Sequence, residues 1–492
     1  MSRRLGPRPG VLALAWILGA CAPPSALPPA PPPQSPLQLA RWRTPPPLEA
    51  EPQIDLHREL QRVALGNGLH VTVLTRAESP STVVRLWVPS ASEEGQGPLV
   101  VVAEMLRAGT QLERGELVVN PRLGESAIGI HTGRRGTEFE WQVLPRASQH
   151  AVALLGQFLL QPTFEPEELK IRLQRELTRI ERYALSYSRV NDVARSALPG
   201  IAAPRPDRAA ARLLELSREQ VQHLYRCSMR PEGAELVIVG PVPGEAALGW
   251  ARRTFADWKP GARSNETGCA RPAPPAAAAS AALQEPLVQL LSGSRGEPYL
   301  FLALPGPARE SDDFLAFELL SRVLQDRDRG SAQALRHTGR TAGIEAAVRS
   351  DYPGFSLLEL HGQVEASGAR RALQALVLDI QRLEQELTET ELDTAKRRWT
   401  AEYVAGLRSD SVLAASVSWE LGRGRAPEAV YDWPQTLRAI DLERCRQVAR
   451  RWLSPAQPSI VVGNPPSTLG ENLGFPATVR RLSWTWRAPD EE

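Results

Sequence analysis

Cysteine is scarce in this chain: four in 492 residues, at positions 21, 227, 269 and 445. Their wide spacing excludes a disulfide framework and a zinc knuckle, and with Cys21 assigned elsewhere at most one pair forms. Net charge is scarce too. Fifty-eight basic against 56 acidic side chains leave +2, which removes the electrostatic case for nucleic acid or an acidic substrate. There is no Gly-x-Ser-x-Gly elbow, no phosphate loop and no Cys-x-x-Cys pair. No two histidines stand four residues apart, and none lies between His70 and His131. What is present is length for two or more domains with real cores, 42% hydrophobic.

The first 21 residues read as an export signal. Arg3, Arg4 and Arg8 make a basic start, and VLALAWIL (11–18) is apolar but too short to span a bilayer. It runs into Leu18-Gly19-Ala20-Cys21, which resembles a bacterial lipobox, so Cys21 is the expected lipidation site. Ala22 follows, not an acidic retention residue, and the expected location is the periplasmic face of the outer membrane. Residues 22–50 are too rich in proline to bury a core and suit an extended tether.

The remainder contains a repeat. Glu168-Leu169 and Glu391-Leu392 each follow an acidic turn and open a long basic amphipathic helix, and they lie 223 positions apart. Gly240 and Gly463, each closing a short apolar strand, have the same offset. Strands in runs followed by helices in runs predict an α+β fold. Two homologous halves are expected, each a mixed sheet with helices on one face, in a clamshell-like arrangement. The expected limits are 51–260 and 284–475, with an Ala/Pro-rich linker at 261–283 and a tail at 476–492.

LGNGLHVTVL (65–74), the WVPSASEEGQG loop (87–97) and the GPLVVVAEMLRAGT helix (97–110), in this two-half layout, resemble the insulinase/pitrilysin (M16) superfamily of zinc metallopeptidases. The resemblance covers about 57–470. Catalytic members carry His-x-x-Glu-His on that helix: two histidines four apart share a face and hold zinc, and the glutamate is the general base. Counting back from Gly109-Thr110, the first ligand position falls on Val100, the base on Ala103 and the second ligand on Glu104. All three are replaced. The family's third ligand, a glutamate on the long helix, falls on Arg179 by local alignment and on Glu181 by spacing, with Glu176 a turn away. Which of Glu176 and Glu181 matches stays open. Two carboxylates without imidazole make a poor zinc site, so the expectation is no metal and no cofactor, with Glu104 paired to Arg179 or Arg175.

The resemblance also implies an Arg and a Tyr in the second half that bind substrate. Here Arg336 stands at the Arg position, and the Tyr position reads Ala342. Arg336 is the candidate substrate contact, or else a helix cap; His337 reads as a surface residue. The leading expectation is a non-catalytic, lipid-anchored subunit that pairs with a zinc-bearing M16 homologue around an extended peptide, with no nucleic acid. The alternatives are a zinc endopeptidase with a non-standard site and a scaffold like the core proteins of respiratory complexes.

Overall fold

The structure, a computed structural model, describes residues 60–89, 96–259, 283–325 and 345–483, apart from short gaps at 109, 112–116, 119–121, 124–125, 134, 185, 202–205, 293–296, 351, 353, 423, 455–456, 468 and 471–472. The signal with Cys21, the tether, the linker up to residue 282 and the segment with Arg336, His337 and Ala342 lie outside the described residues. Among the described helices none is long and apolar enough to cross a membrane.

Two six-stranded mixed sheets share the connectivity of five strands; the sixth comes first in the chain and runs antiparallel to its neighbour in one, and comes last and runs parallel in the other. The first runs Leu60–Ala64, His70–Thr75, Glu235–Gly240, Thr82–Pro89, Gly136–Val143, Gly129–Thr132. Its late strand Glu235–Gly240 inserts parallel to His70–Thr75 and antiparallel to Thr82–Pro89. In the second sheet Ser459–Gly463 inserts in the same way, parallel to Leu287–Ser292 and antiparallel to Tyr299–Gly306. Strands Ser356–Gln363 and Glu345–Arg349 follow on one side and Thr478–Ser483 on the other. That last strand comes from the stretch set apart above as a tail. The inserted strands ELVIVG and SIVVG are buried along their whole length, which is why they read as continuous apolar runs instead of alternating ones.

Period-two alternation assigns the faces. Val84, Leu86, Val88, Leu236 and Ile238 face the helices of their own half, in a core with Phe139, Trp141 and Phe158. Leu300, Leu302, Leu304, Ile460 and Val462 do the same in the second half. The opposite faces are covered from across the molecule. Helix Asp410–Leu421 of the second half lays Leu413, Ala414, Val417 and Leu421 on Leu74, Val83, Val237 and Val239 of the first sheet. Helix Tyr187–Ser196 of the first half puts Val190 and Ala194 on Leu291, Phe301, Ala303 and Val461 of the second. Tyr187 and Asp410 are 223 positions apart, as are Pro166 and Glu389, the first residues of the preceding long helices. The repeat therefore reaches the level of packing: each half lends the other one helix.

Charge fastens both crossings. Arg195 donates Nε and Nη2 to the two oxygens of Glu359 at 2.7 and 2.8 Å, and Arg349 Nε reaches Glu359 Oε1 at 3.1 Å. On the other side Asp410 accepts from Arg76 Nη1 at 2.8 Å, from Ser81 at 3.2 Å and from Ser79, while Ser411 donates to Glu140.

Gly240 ends its strand where the chain has no room for a side chain. A Cβ there would lie 2.8 Å from the Ser81 carbonyl oxygen and 2.8 Å from Thr82 Cα. Backbone yields less readily than a flexible side chain, so Gly240→Ala is expected to cost about 1–3 kcal/mol. Urea midpoints check this, and an unchanged midpoint would contradict the close approach.

Candidate functional site, a degenerate metal-binding helix

Helix Gln96–Ala108 takes Pro98 within its first turn, where a missing N–H costs nothing. Its apolar run buries Leu99, Val101, Val102, Ala103, Met105 and Leu106. Val100, Glu104 and Arg107 stay half-buried at i, i+4 and i+7, one stripe along the helix. Val100 and Glu104 thus share the face that two zinc-binding histidines would need, while Ala103 is closed into the core.

The neighbouring long helix, Pro166–Ala184, supplies the partner. Arg172 donates Nη1 to Glu104 Oε2 at 3.2 Å and Nη2 to Glu168 Oε2 at 3.1 Å. Arg107 stands 3.5 Å from Glu104 Oε1. Glu104 is ion-paired as expected, but with neither of the expected arginines. Arg175 is exposed. Arg179 is held by Glu176 three residues earlier on its own helix, Nε to Oε2 at 2.7 Å, and that carboxylate keeps the guanidinium above its ordinary pKa. A one-turn contact costs less chain ordering than a cross-helix one, so it wins Arg179. Arg172 was missed, although its i, i+4 spacing from Glu168 marks it on the same stripe. Glu176 is buried on that stripe, four residues beyond Arg172, and Glu181 is exposed.

This donor set does not fit zinc. Two guanidinium groups already flank the Glu104 carboxylate, and a cation bound there would face them. Among the described residues no three His, Cys, Asp or Glu side chains converge in a way that would hold a metal ion.

Residues 215–398 match the family described as the peptidase M16 inactive domain. Over that stretch the chain is similar to the M16 peptidase superfamily. No curated protein matches it. Among solved structures, a protease from Helicobacter pylori superposes with a TM-score of 0.68 at 15% identity, covering 83% of this chain and 100% of that one. The peptidase M16 inactive domain from Pseudomonas fluorescens gives 0.69 at 17% identity, covering 82% and 98%. The periplasmic protease PqqL from Escherichia coli gives 0.63 at 15%, with 89% of this chain matched to 53% of that one. At such identities the likeness is one of fold.

Two further features of this chain escaped sequence reading. The first sheet ends on Gly129–Thr132, a strand packed beside the helix that carries Glu104. On the sheet face away from that helix, Arg85, Gly129, His131, Glu138, Glu140 and Gln142 line a groove of about 450 Å³. Alternation in GTEFEWQV signals this: Phe139 and Trp141 go to the core, so their neighbours face out. Farther along the face lies Glu235, buried, within 3.0 Å of His70 Nδ1 and 3.1 Å of Arg62 Nη2. Burial pushes its carboxyl pKa up, and Arg62 and His70 offset this only in part. A carboxyl raised on folding contributes stability that is full below its unfolded pKa and is lost as pH rises through the folded value. Glu235→Gln is therefore expected to flatten the decline of urea midpoints from about pH 4 to about pH 8. A wild-type curve that rises across that span would contradict the assignment.

Proposed function

We propose that this chain is a non-catalytic M16 subunit that completes a peptide-processing chamber with a zinc-bearing homologue. The observation that carries the reading is Arg172, which occupies the Glu104 carboxylate on the face where catalytic relatives bind metal. Length supports the pairing. The chain matches about half of PqqL, with 53% of that protein covered, so a second body of similar size is needed to build an assembly of that extent. Among the described residues the edge of Gly129–Thr132 beside the Glu104 helix is unpaired and offers an extended peptide backbone a place to add as a strand. Arg336, outside the described residues, is retained as a substrate contact.

The same reading places the protein on the periplasmic face of the outer membrane, anchored through a lipid on Cys21. Support comes from the lipobox-like start and from cysteine chemistry. Cys227 is disulfide-bonded, and Cys445 is free and buried. A structural disulfide suits an oxidising compartment.

The test is metal content and peptidase activity of the mature protein, alone and mixed with a zinc-bearing M16 chain from the same source. The expected result is no stoichiometric zinc and no cleavage alone, and cleavage in the mixture that weakens on Arg336→Ala. Stoichiometric zinc with chelator-sensitive cleavage by the lone chain would establish an enzyme with a non-standard site instead. A copurifying membrane complex without peptidase activity would point to a scaffold.

A further inference from the structure

The second sheet ends on Thr478–Ser483, which is paired with Leu287–Ser292 on one side and, among the described residues, with no strand on the other. An edge of this kind presents unpaired backbone N–H and C=O groups that another chain can use. Val479, Arg480 and Arg481 are exposed in succession along it. Strand geometry sends Arg480 and Arg481 to opposite faces, and neither forms a salt bridge among the described residues.

Beside the strand lies a groove of about 520 Å³, lined by Gly470, Leu473, Gly474, Phe475, Pro476, Ala477 and Val479. Two glycines in left-handed backbone, Gly470 at φ +104° and Gly474 at φ +78°, turn the chain around it. A Cβ on Gly470 would press Leu290 at 2.9 Å, and one on Gly474 would meet Gln374 at 2.1 Å. The wall of the groove is thus fixed by close packing against the second core.

We propose that Thr478–Ser483 is a docking edge for an extended acidic segment of another protein. The segment adds as a further strand and sets carboxylates against Arg480 and Arg481, with the groove leaving room for a side chain beside it. Charge selects this occupant over a second copy of the chain. Antiparallel self-pairing about the strand's centre puts Arg480 opposite Arg481, and like charges directly opposite are destabilising. The site is remote in sequence from Glu104 and independent of the chamber reading.

Two synthetic peptides test it on the full mature chain, one carrying two adjacent glutamates flanked by valines, so that one carboxylate lies on each face, the other carrying lysines at the same two places. Binding is followed by fluorescence anisotropy and by amide hydrogen exchange. The glutamate peptide is expected to bind more tightly by roughly tenfold and to slow exchange at residues 479–483. The double variant R480E/R481E, altered only at exposed positions, is expected to reverse the preference while keeping the wild-type melting curve. Equal binding of both peptides, or no protection at this strand, overturns the proposal. So does concentration-dependent protection without any peptide, which would assign the edge to a second copy.

Discussion

Replacing Glu359 with alanine is expected to cost the fold roughly 3–5 kcal/mol, the range for removing one partner of a buried ion pair. Glu359 is 4% exposed and is gripped by Arg195 from the first half and Arg349 from its own. Burial alone would pull the Arg195 guanidinium down. The carboxylates of Glu359 and Asp192 outweigh that and hold it above its ordinary value. Remove Glu359 and the charge stays, in contact with the Phe301 ring 5.1 Å away, with Asp192 as its remaining partner. Chemical denaturation measures the loss. Arg195→Met combined with Glu359→Leu should recover much of it, since an apolar pair removes both desolvation penalties. A single-variant loss under about 1 kcal/mol would mean that solvent reaches the pair and that the crossing is held by packing alone.

Placing two histidines on this helix is expected to fail as a route to metal while Arg172 remains. Val100 and Glu104 share one face, so Val100→His with Glu104→His recreates the spacing, and buried Glu176 lies on the adjoining stripe. But Arg172 Nη1 stands 3.2 Å from the present Glu104 carboxylate. A unit charge about 4 Å from another costs ~4 kcal/mol at an effective dielectric near 20, and a dication feels twice the field. Solvent at the half-buried stripe screens part of this. Adding Arg172→Leu to the two histidines is therefore expected to tighten zinc or cobalt binding by at least about a hundredfold. Titration calorimetry or the visible absorbance of cobalt reads the difference. Equal affinity with and without Arg172 would show that the arginine does nothing to keep metal from this helix.

The residues differ in how openly they announce their places. The inserted strands were legible because a strand buried on both faces is apolar at every position, as in ELVIVG and SIVVG. The 223-residue offset was legible because Glu168, Glu391, Gly240 and Gly463 mark ends of elements, where composition is most constrained. That Glu104 needed a cation followed from its apolar surroundings, but which cation did not. Arg172, Arg175 and Arg179 lie within two turns of one helix, and only three-dimensional packing decides between a local pair and a cross-helix one. The exchange of helices was hidden for a different reason. Nothing in YSRVNDVARS says that Val190 and Ala194 rest on Phe301 and Val461, more than a hundred residues downstream. Local periodicity reports that a face is buried, never against what.

That exchange has a consequence for synthesis. While the chain is being made, Val83, Val237 and Val239 emerge long before Leu413 and Val417, the side chains that cover them. The first sheet must wait, with an apolar face bare, until more than 400 residues have been joined. A fragment cut after residue 260 would wait indefinitely, and aggregation is its natural end. The two halves resemble each other as duplicates, yet in the assembled chain neither is a unit that chemistry or a ribosome could deliver alone.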